Sequence, residues 1–274
     1  MMIKIGGDIS LQIKEPEKEK QTYPSCRIQK GLVLFHGNKD LSEEGVGFGV
    51  PILKYGQKTI FPGGGCIKVK KFADRVDVKI DYDFNLAEII VVKGRRIESR
   101  TICRIKEYLS WFHRKYPFSR ELLKKGSIVI RRAFSVETRF EKVASTGLAS
   151  VGYEISTDGM IHVSTDLRRI KNEGCTEVIF MNEQGANYFD TYCDSEGTNL
   201  VGNAIGSWQE TFCDDVSFID PYDELTFTLS RIHGSRMFYG RELVANRLAW
   251  SGIAYSISPR ILNFAYDIRI GAKK

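Results

Sequence analysis

The stretch SIVIRRAFSVETRFE, which runs from Ser127 to Glu141, has apolar residues at nearly every second position. Its apolar face consists of Ile128, Ile130, Phe134, Val136 and Phe140, and its opposite face is mostly polar. This period of two is typical of a β-strand with one buried and one solvated side. Because the backbone groups of so long a strand must form hydrogen bonds, the pattern predicts partner strands on both of its edges.

Alternating or continuously apolar segments recur along the rest of the chain. Further strands are predicted over residues 31–35, 76–85, 87–92, 149–155, 177–184, 225–232, 249–257 and 264–270. Residues 103–125 are the only strongly helical stretch, since their apolar side chains recur at helical spacing. Strands do not alternate with helices, so the sequence predicts a mostly β protein. We expect a large, supersandwich-like antiparallel β-sandwich with one helical insertion near residues 103–125, formed by a single domain over residues 1–274.

The register of one hairpin can be predicted from its side-chain pattern. Tyr153 and Ile155 share an apolar face, and Ile161 and Val163 should share it with them. A two-residue turn would place Ile155 opposite His162 and mix the two faces. A three-residue loop with a left-handed Gly159 keeps the apolar residues together, and it places His162 opposite Glu154 on the polar face.

Composition excludes several classes of protein. The chain has 274 residues, 42% of them hydrophobic, and a formal net charge of +6 that is spread along the sequence. A dispersed excess of this size favours a solvated surface over a nucleic-acid interface. The six cysteines show no zinc-finger spacing, and no segment has the length of a signal peptide or a membrane span. We therefore expect a cytoplasmic protein with reduced thiols, which binds no nucleic acid and no membrane.

Two glycine-rich segments resemble nucleotide-binding loops without matching them. In the segment from Gly45 to Pro51, Val50 stands where the dinucleotide fingerprint requires glycine, and Pro51 opposes the helix that must follow. This segment instead indicates close backbone approach at a bend or a binding surface. The segment Pro62 to Gly65 lacks the Gly-Lys-Ser/Thr ending of a P-loop, and we predict a mobile turn there. No cofactor is expected.

The chemistry that fits this fold class is recognition of a carbohydrate. By analogy of fold alone, large sandwiches often present a polar sheet face, and carbohydrate-active proteins bind sugar on such a face. A sugar site needs aromatic platforms, planar polar groups and often a proton-transferring side chain. The predicted catalytic residues are His162, Glu154 and Glu183, and the predicted substrate-binding residues are Arg132, Tyr188, Trp208 and Glu210. No metal site is expected, because HExxH and zinc-deaminase patterns are absent.

The sequence leaves alternatives open at several of these positions. Glu154 and His162 could form only a solvated cross-strand pair. Arg132 lies in an apolar row, where it needs either a carboxylate partner or a ligand. If the protein is an enzyme, epimerase, lyase and hydrolase chemistry all remain possible. The alternative function is a non-catalytic β-sandwich that serves as an interaction or assembly module. The carbohydrate hypothesis predicts that Arg132, Glu154, His162 and Glu183 converge with a tryptophan or tyrosine in one cleft.

Overall fold

The computed structural model describes residues 2–16, 27–93, 95–96, 136–244 and 248–272. These ranges form twenty strands, and their pairings are antiparallel. The strands are β1 (Met2–Gly6), β2 (Ile9–Ile13), β3 (Leu32–His36), β4 (Lys39–Asp40), β5 (Gly47–Tyr55), β6 (Lys58–Lys71), β7 (Arg75–Val92), β8 (Arg95–Arg96), β9 (Val136–Lys142), β10 (Leu148–Ser156), β11 (Met160–Asp166), β12 (Glu177–Gln184), β13 (Thr191–Asp194), β14 (Asn199–Val201), β15 (Gln209–Thr211), β16 (Asp215–Asp220), β17 (Leu225–Ser230), β18 (Arg236–Val244), β19 (Leu248–Ile257) and β20 (Asn263–Ala272). One turn of 3-10 helix, Gly202–Ala204, follows β14.

The strands form two layers that pack face to face. The first layer has the order β7-β10-β11-β20-β17-β16-β13-β14, with β9 beside the second half of β7. The second layer has the order β1-β2-β3-β5-β12-β19-β18-β15. Strand β6 pairs with β5 on one side and with β7 on the other, so it joins the two layers.

Aromatic side chains fill the space between the layers. Phe180 of the second layer stacks on Phe264 of the first, with ring centroids 5.4 Å apart. Tyr255 of the second layer lies 4.8 Å from Tyr266 of the first. The hydroxyl of Tyr153 donates a hydrogen bond to the carbonyl oxygen of Phe48 across the same interior. These contacts confirm the predicted mostly β, antiparallel sandwich.

Several detailed predictions are confirmed by the strand register. Tyr153 pairs with Val163, Glu154 with His162 and Ile155 with Ile161, as the three-residue hairpin loop requires. Gly159 has a φ of +86°, which is the left-handed conformation expected there. Of the alternating stretch from Ser127 to Glu141, residues 136–141 lie in β9, where Phe140 is buried and Arg139 is exposed. The predicted helical insertion at residues 103–125 lies outside the described residues, and the single domain stays a prediction.

Two local predictions are wrong. Residues 76–92 form one continuous strand, β7, where two were expected. Leu86 packs into a small second apolar cluster while Ala87 contacts the main core, so both faces of β7 are buried there and the polar and apolar residues stop alternating. The glycine-rich segment at Pro62 forms no turn and lies inside β6, where the register shifts. A side chain at Gly63 would come within 2.1 Å of Asn85, so this glycine allows close packing.

Three consecutive polar side chains of β12 bind the backbone of the segment 31–49, which we call the strap and which contains β3, β4 and the first residues of β5. Asn182 accepts a hydrogen bond from the amide of Gly49 at 3.0 Å. Glu183 accepts one from the amide of Val46 at 3.2 Å. Gln184 accepts one from the amide of Leu34 at 3.2 Å and donates one to a strap carbonyl. All three side chains are buried, and they supply the partners that these backbone groups need away from water.

The strap explains the repeated glycines between Gly45 and Gly49. A side chain at Gly45 would come within 2.9 Å of the carbonyl oxygen of Glu183. A side chain at Gly49 would come within 2.7 Å of the ring of Tyr153, and Gly49 has a φ of +78°. The expected close backbone approach is therefore present. Its location is the buried interior and not a binding surface, since residues 45–53 are buried.

Candidate functional site

The outward face of the first layer is polar across four neighbouring strands, β7, β10, β11 and β20. Val151, Tyr153, Val163 and Tyr266 point into the core, so the residues between them on the same strands point outward. The register arranges the outward residues of β10, β11 and β20 in three rows. We call them the first wall (Ser150, Asp166, Asn263), the central row (Gly152, Ser164, Ala265) and the second wall (Glu154, His162, Asp267).

The central row forms the floor of a trough because its side chains are small. The cavity above it has a volume of about 480 Å³ and is lined by the first wall, the central row and Lys79 of β7. The second wall lies two residues further along each strand, which is about 7 Å. Hydroxyl, amide, carboxylate and ammonium groups therefore surround a space in which a small polar molecule fits.

The first wall is held by charged hydrogen bonds. Arg169 donates to Asp81 at 2.8 Å and to Ser150 at 2.7 Å, and Ser150 also donates to Asp81. Partial burial acts to raise the pKa of Asp81, but the Ser150 hydroxyl and the cations Lys79 and Arg169 lower it below the ordinary value of 3.8. Asp166 accepts two hydrogen bonds from the guanidinium of Arg168 and one from its backbone amide, which lower the pKa of Asp166 to about 2. Both carboxylates are thus ionised at neutral pH.

The second wall contains an imidazole beside two carboxylates. The Nδ1 of His162 lies 2.7 Å from Oδ1 of Asp267, and Glu154 is its register partner on the other side. The His162 and Asp267 side chains are 46% and 60% exposed. A carboxylate that accepts the Nδ1 proton leaves Nε2 of a neutral imidazole available as a base. The predicted residues His162 and Glu154 therefore do lie together, next to the trough.

Glu183 lies in a different part of the molecule. It points to the face of β12 opposite that of Asn182, and the second layer separates it from the trough. Burial raises the pKa of Glu183 to about 7 and nearby Glu242 adds to this, while the hydrogen bond from Val46 and the charge of Lys30 act to lower it. Glu183 therefore cannot act on the same ligand as His162, so the predicted cleft that contains both residues is absent. A sugar site on the first layer must be formed by groups other than Glu183.

Trp208 and Glu210 also belong to the second layer. The ring of Trp208 stacks on Trp250, with centroids 4.7 Å apart and planes 17° from parallel. Glu210 accepts two hydrogen bonds of 2.8 Å from Arg236 of β18. Neither residue contributes to the trough, so the aromatic platform expected there is not supplied by Trp208.

Tyr188 lies in the connection after β12, away from the trough. The ammonium group of Lys39 is 4.4 Å from the centre of its ring, and Lys39 also pairs with Asp223 at 3.0 Å. These contacts occupy one face of the tyrosine with a cation. Arg132, for which the sequence leaves open an ion pair or a ligand contact, lies outside the described residues.

Sequence reasoning missed Asp267, Lys79 and Arg169 as members of this face. The alternation of β20 does place Asp267 on a polar side. Its proximity to His162 follows from the pairing of β20 with β11, which are almost a hundred residues apart in the chain. Among the described residues, no group of three or more histidine, cysteine, aspartate or glutamate side chains is placed to hold a metal. In the same ranges, no helix has the length and hydrophobicity required of a membrane span.

Comparison with known proteins gives structural similarity without sequence similarity. No family model and no curated protein matches this chain. The Gal-NHAc-DNJ complex of the α-N-acetylgalactosaminidase NagBb from Bifidobacterium bifidum matches 99% of this chain and 36% of its own, with 9% identity and a TM-score of 0.52. Its ligand-free structure gives 7% identity and a TM-score of 0.49 over the same shares. An α-mannosidase from Enterococcus faecalis gives 10% identity and 0.43, over 97% of this chain and 28% of its own.

These similarities show the fold alone. The chain spans about a third of the length of the two glycosidases it matches. Distant structural neighbours of this protein are thus carbohydrate-active enzymes, while identity near 9% gives no residue-by-residue correspondence. Any statement about a ligand must come from the residues of this chain.

Proposed function

We propose that this protein is carbohydrate-active and binds a sugar in the trough on the outward face of the first layer. The main observation in support of this proposal is the arrangement of β10, β11 and β20, in which Gly152, Ser164 and Ala265 form a floor between two polar walls. Sugar hydroxyls both donate and accept hydrogen bonds. The first wall offers a serine hydroxyl, a carboxylate and an amide, which together match both roles.

The second wall supplies groups for proton transfer. With its Nδ1 proton donated to Asp267, His162 presents Nε2 as a base, and Glu154 lies beside it. A base and a second proton carrier on one sheet face can open a sugar ring, epimerise a carbon next to a carbonyl, or eliminate across a bond. His162 and Glu154 are the proposed proton carriers, and Asp267 is the proposed positioning residue.

The fold favours a sugar as the ligand. The solved structure that shares the fold at a TM-score of 0.52 is named as an α-N-acetylgalactosaminidase in a Gal-NHAc-DNJ complex. The trough itself favours recognition by hydrogen bonds, because the only aromatic side chain among its described lining residues, Phe264, is buried. Binding of single sugars should consequently be weak, since polar contacts contribute little net binding free energy once the cost of desolvation is included.

A matched pair of tryptophan variants tests the site. Ala265 is exposed in the middle of the floor, so Ala265→Trp fills the trough. Thr226→Trp adds the same side chain on the same outward face, at the far end of β17. Ligand-observed NMR against neutral, amino and acidic monosaccharides should detect binding to wild type and to Thr226→Trp, and none to Ala265→Trp.

The outcome separates the candidate functions. Binding that survives Ala265→Trp would place the site elsewhere on the molecule. Absence of binding to wild type across mono- and oligosaccharides would leave the interaction module as the better account. For any sugar that binds, exchange NMR of the anomers and uptake of deuterium from solvent measure proton transfer. His162→Asn should abolish both while leaving the affinity within about twofold, because catalysis and binding use different walls.

A further inference from the structure

The end of the trough at β7 carries an unusual pairing of like charges. Lys79 lies opposite Gly152 and lines the trough, and Lys68 of β6 lies directly opposite Lys79. Both point to the outward face, since Val69 and Val78 beside them pack toward the core. Like charges directly opposed across two strands repel each other. In the described ranges, Lys68 has no carboxylate within ion-pair distance.

The carboxylates near these lysines are already shared or paired. Asp81 lies 3.8 Å from the ammonium of Lys79 but 2.8 Å from Arg169, so one carboxylate serves two cations. Asp77 forms an ion pair with Arg75 at 3.0 Å. Glu154 is the remaining acidic neighbour, diagonal to Lys79 across β10. The cations at this end of the trough, Lys68, Lys79 and Arg169, therefore outnumber the carboxylates that face them, Asp81 and Glu154.

We propose that this end of the trough binds the anionic group of an acidic carbohydrate, such as a carboxylate, sulfate or phosphate ester, between Lys68 and Lys79. The inference rests on the proposed function, because the sugar ring would lie on the central row. A ring placed above Gly152 has its exocyclic substituent one strand away from Lys79, about 5 Å. The bound anion would relieve the repulsion between the two lysines and accept charge-assisted hydrogen bonds.

Matched sugar pairs measure this preference. The probes are galactose with galacturonate, and glucose with glucuronate, glucose 6-sulfate and glucose 6-phosphate, titrated calorimetrically at low and high salt. We expect at least one acidic probe to bind about tenfold more tightly than its neutral partner, with the advantage falling as salt rises. Lys68→Ala should lower the affinity for the acid about tenfold and change the affinity for the neutral sugar less than twofold, because Lys68 does not line the trough. Lys79→Ala should lower the affinity for the acid by at least as much.

Lys71→Ala is the matched control. Lys71 belongs to the same strand and is also exposed, but it points to the opposite face from Lys68. Equal losses in Lys71→Ala and Lys68→Ala would show only general charge attraction and overturn the inference. Equal affinity for neutral and acidic probes would overturn the inference while the proposed function stands. No binding of either kind, at either salt concentration, would reject the proposed function together with the inference.

Discussion

Two groups of polar side chains lie on opposite layers of the sandwich and contain similar functional groups, but they differ in what they bind. On the first layer, Glu154, His162 and Asp267 are exposed beside an open trough. On the second layer, Asn182, Glu183 and Gln184 are at most 5% exposed and bind the backbone of the strap. Carboxylates occur in both groups, so residue type does not distinguish them.

Burial decides what each group is able to do. An exposed carboxylate or imidazole exchanges a water partner for a ligand at little net cost. A buried polar group must hold its partner permanently, because an unsatisfied one costs about 1–3 kcal/mol. The buried group therefore stabilises the fold and the exposed group remains available for a ligand. Stability should thus depend on the second layer, and activity on the first.

Gly49→Ala should have the largest effect on stability. The new methyl group would come within 2.7 Å of the Tyr153 ring, which is itself fixed by a hydrogen bond to Phe48. Overpacking and the φ of +78° together should lower the free energy of unfolding by about 4 kcal/mol. Gly56→Ala is the control. Gly56 has a φ of +56°, but a methyl group added there would have no neighbouring side chain or backbone within 4 Å, so the substitution should cost about 1 kcal/mol. Equal losses in urea denaturation would contradict the close packing of strap and core.

Glu183→Gln should have the next largest effect, and it should depend on pH. Burial raises the pKa of Glu183 from 4.5 to about 7, so the folded state holds its proton more tightly than the unfolded state. Between these values stability falls as pH rises, because unfolding then releases a proton. Removing the charge should stabilise the protein by about 3 kcal/mol at pH 8 and leave it unchanged at pH 4.

The measurement is urea denaturation of wild type and Glu183→Gln from pH 4 to pH 8. The amide keeps an oxygen for the Val46 hydrogen bond, so shape and bonding are conserved. A difference that is constant with pH would show that Glu183 does not titrate in this window. Loss of sugar binding in Glu183→Gln would contradict the assignment of Glu183 to the fold.

Gln184→Met should cost somewhat less. The thioether keeps the length of the side chain but offers no partner to the amide of Leu34 or the carbonyl of Leu32. We expect a loss of about 2 kcal/mol of unfolding free energy, together with faster hydrogen exchange at the Leu34 amide. Unchanged exchange at that amide would show that Gln184 does not hold the strap.

The parts of the fold that follow local rules were predictable. Apolar residues at every second position predicted β20 and the β10–β11 hairpin, and the predicted strand from Glu177 to Gln184 has the same bounds as β12. β18 was missed because Gly240 and Arg241 interrupt its alternation. In the structure the backbone of Trp208 packs so closely on Gly240 that a side chain there would come within 2.8 Å of it, and Arg241 donates a hydrogen bond to the carbonyl oxygen of Ala186. Contacts of this kind join segments that are distant in the chain, so they cannot be predicted from the local sequence pattern.

The candidate site was predictable in part for the same reason. Glu154 and His162 belong to one hairpin, so their pairing followed from turn geometry. Asp267 joins them through a pairing of distant strands, and Glu183 is excluded by which face of β12 it occupies. At residues 182–184 β12 is buried on both sides, and all three residues are polar, so alternation does not indicate the direction in which Glu183 points.

Asp267→Asn should have the smallest effect on stability and a clear effect on activity. The pair formed by His162 and Asp267 is exposed, and such pairs contribute little to folding, so the change should stay within about 0.5 kcal/mol. An asparagine at this position offers either an amide donor or a weaker acceptor to Nδ1, which disfavours the tautomer with Nε2 as a base. For a sugar that the protein converts, kcat should fall about tenfold with KM unchanged, as expected for a positioning residue. Asp215→Asn is the matched control, because Asp215 forms a similar exposed pair with Arg269 on the same face. An equal loss of kcat in both variants would indicate a general effect of surface charge, and a loss of stability in Asp267→Asn alone would assign the pair to the fold.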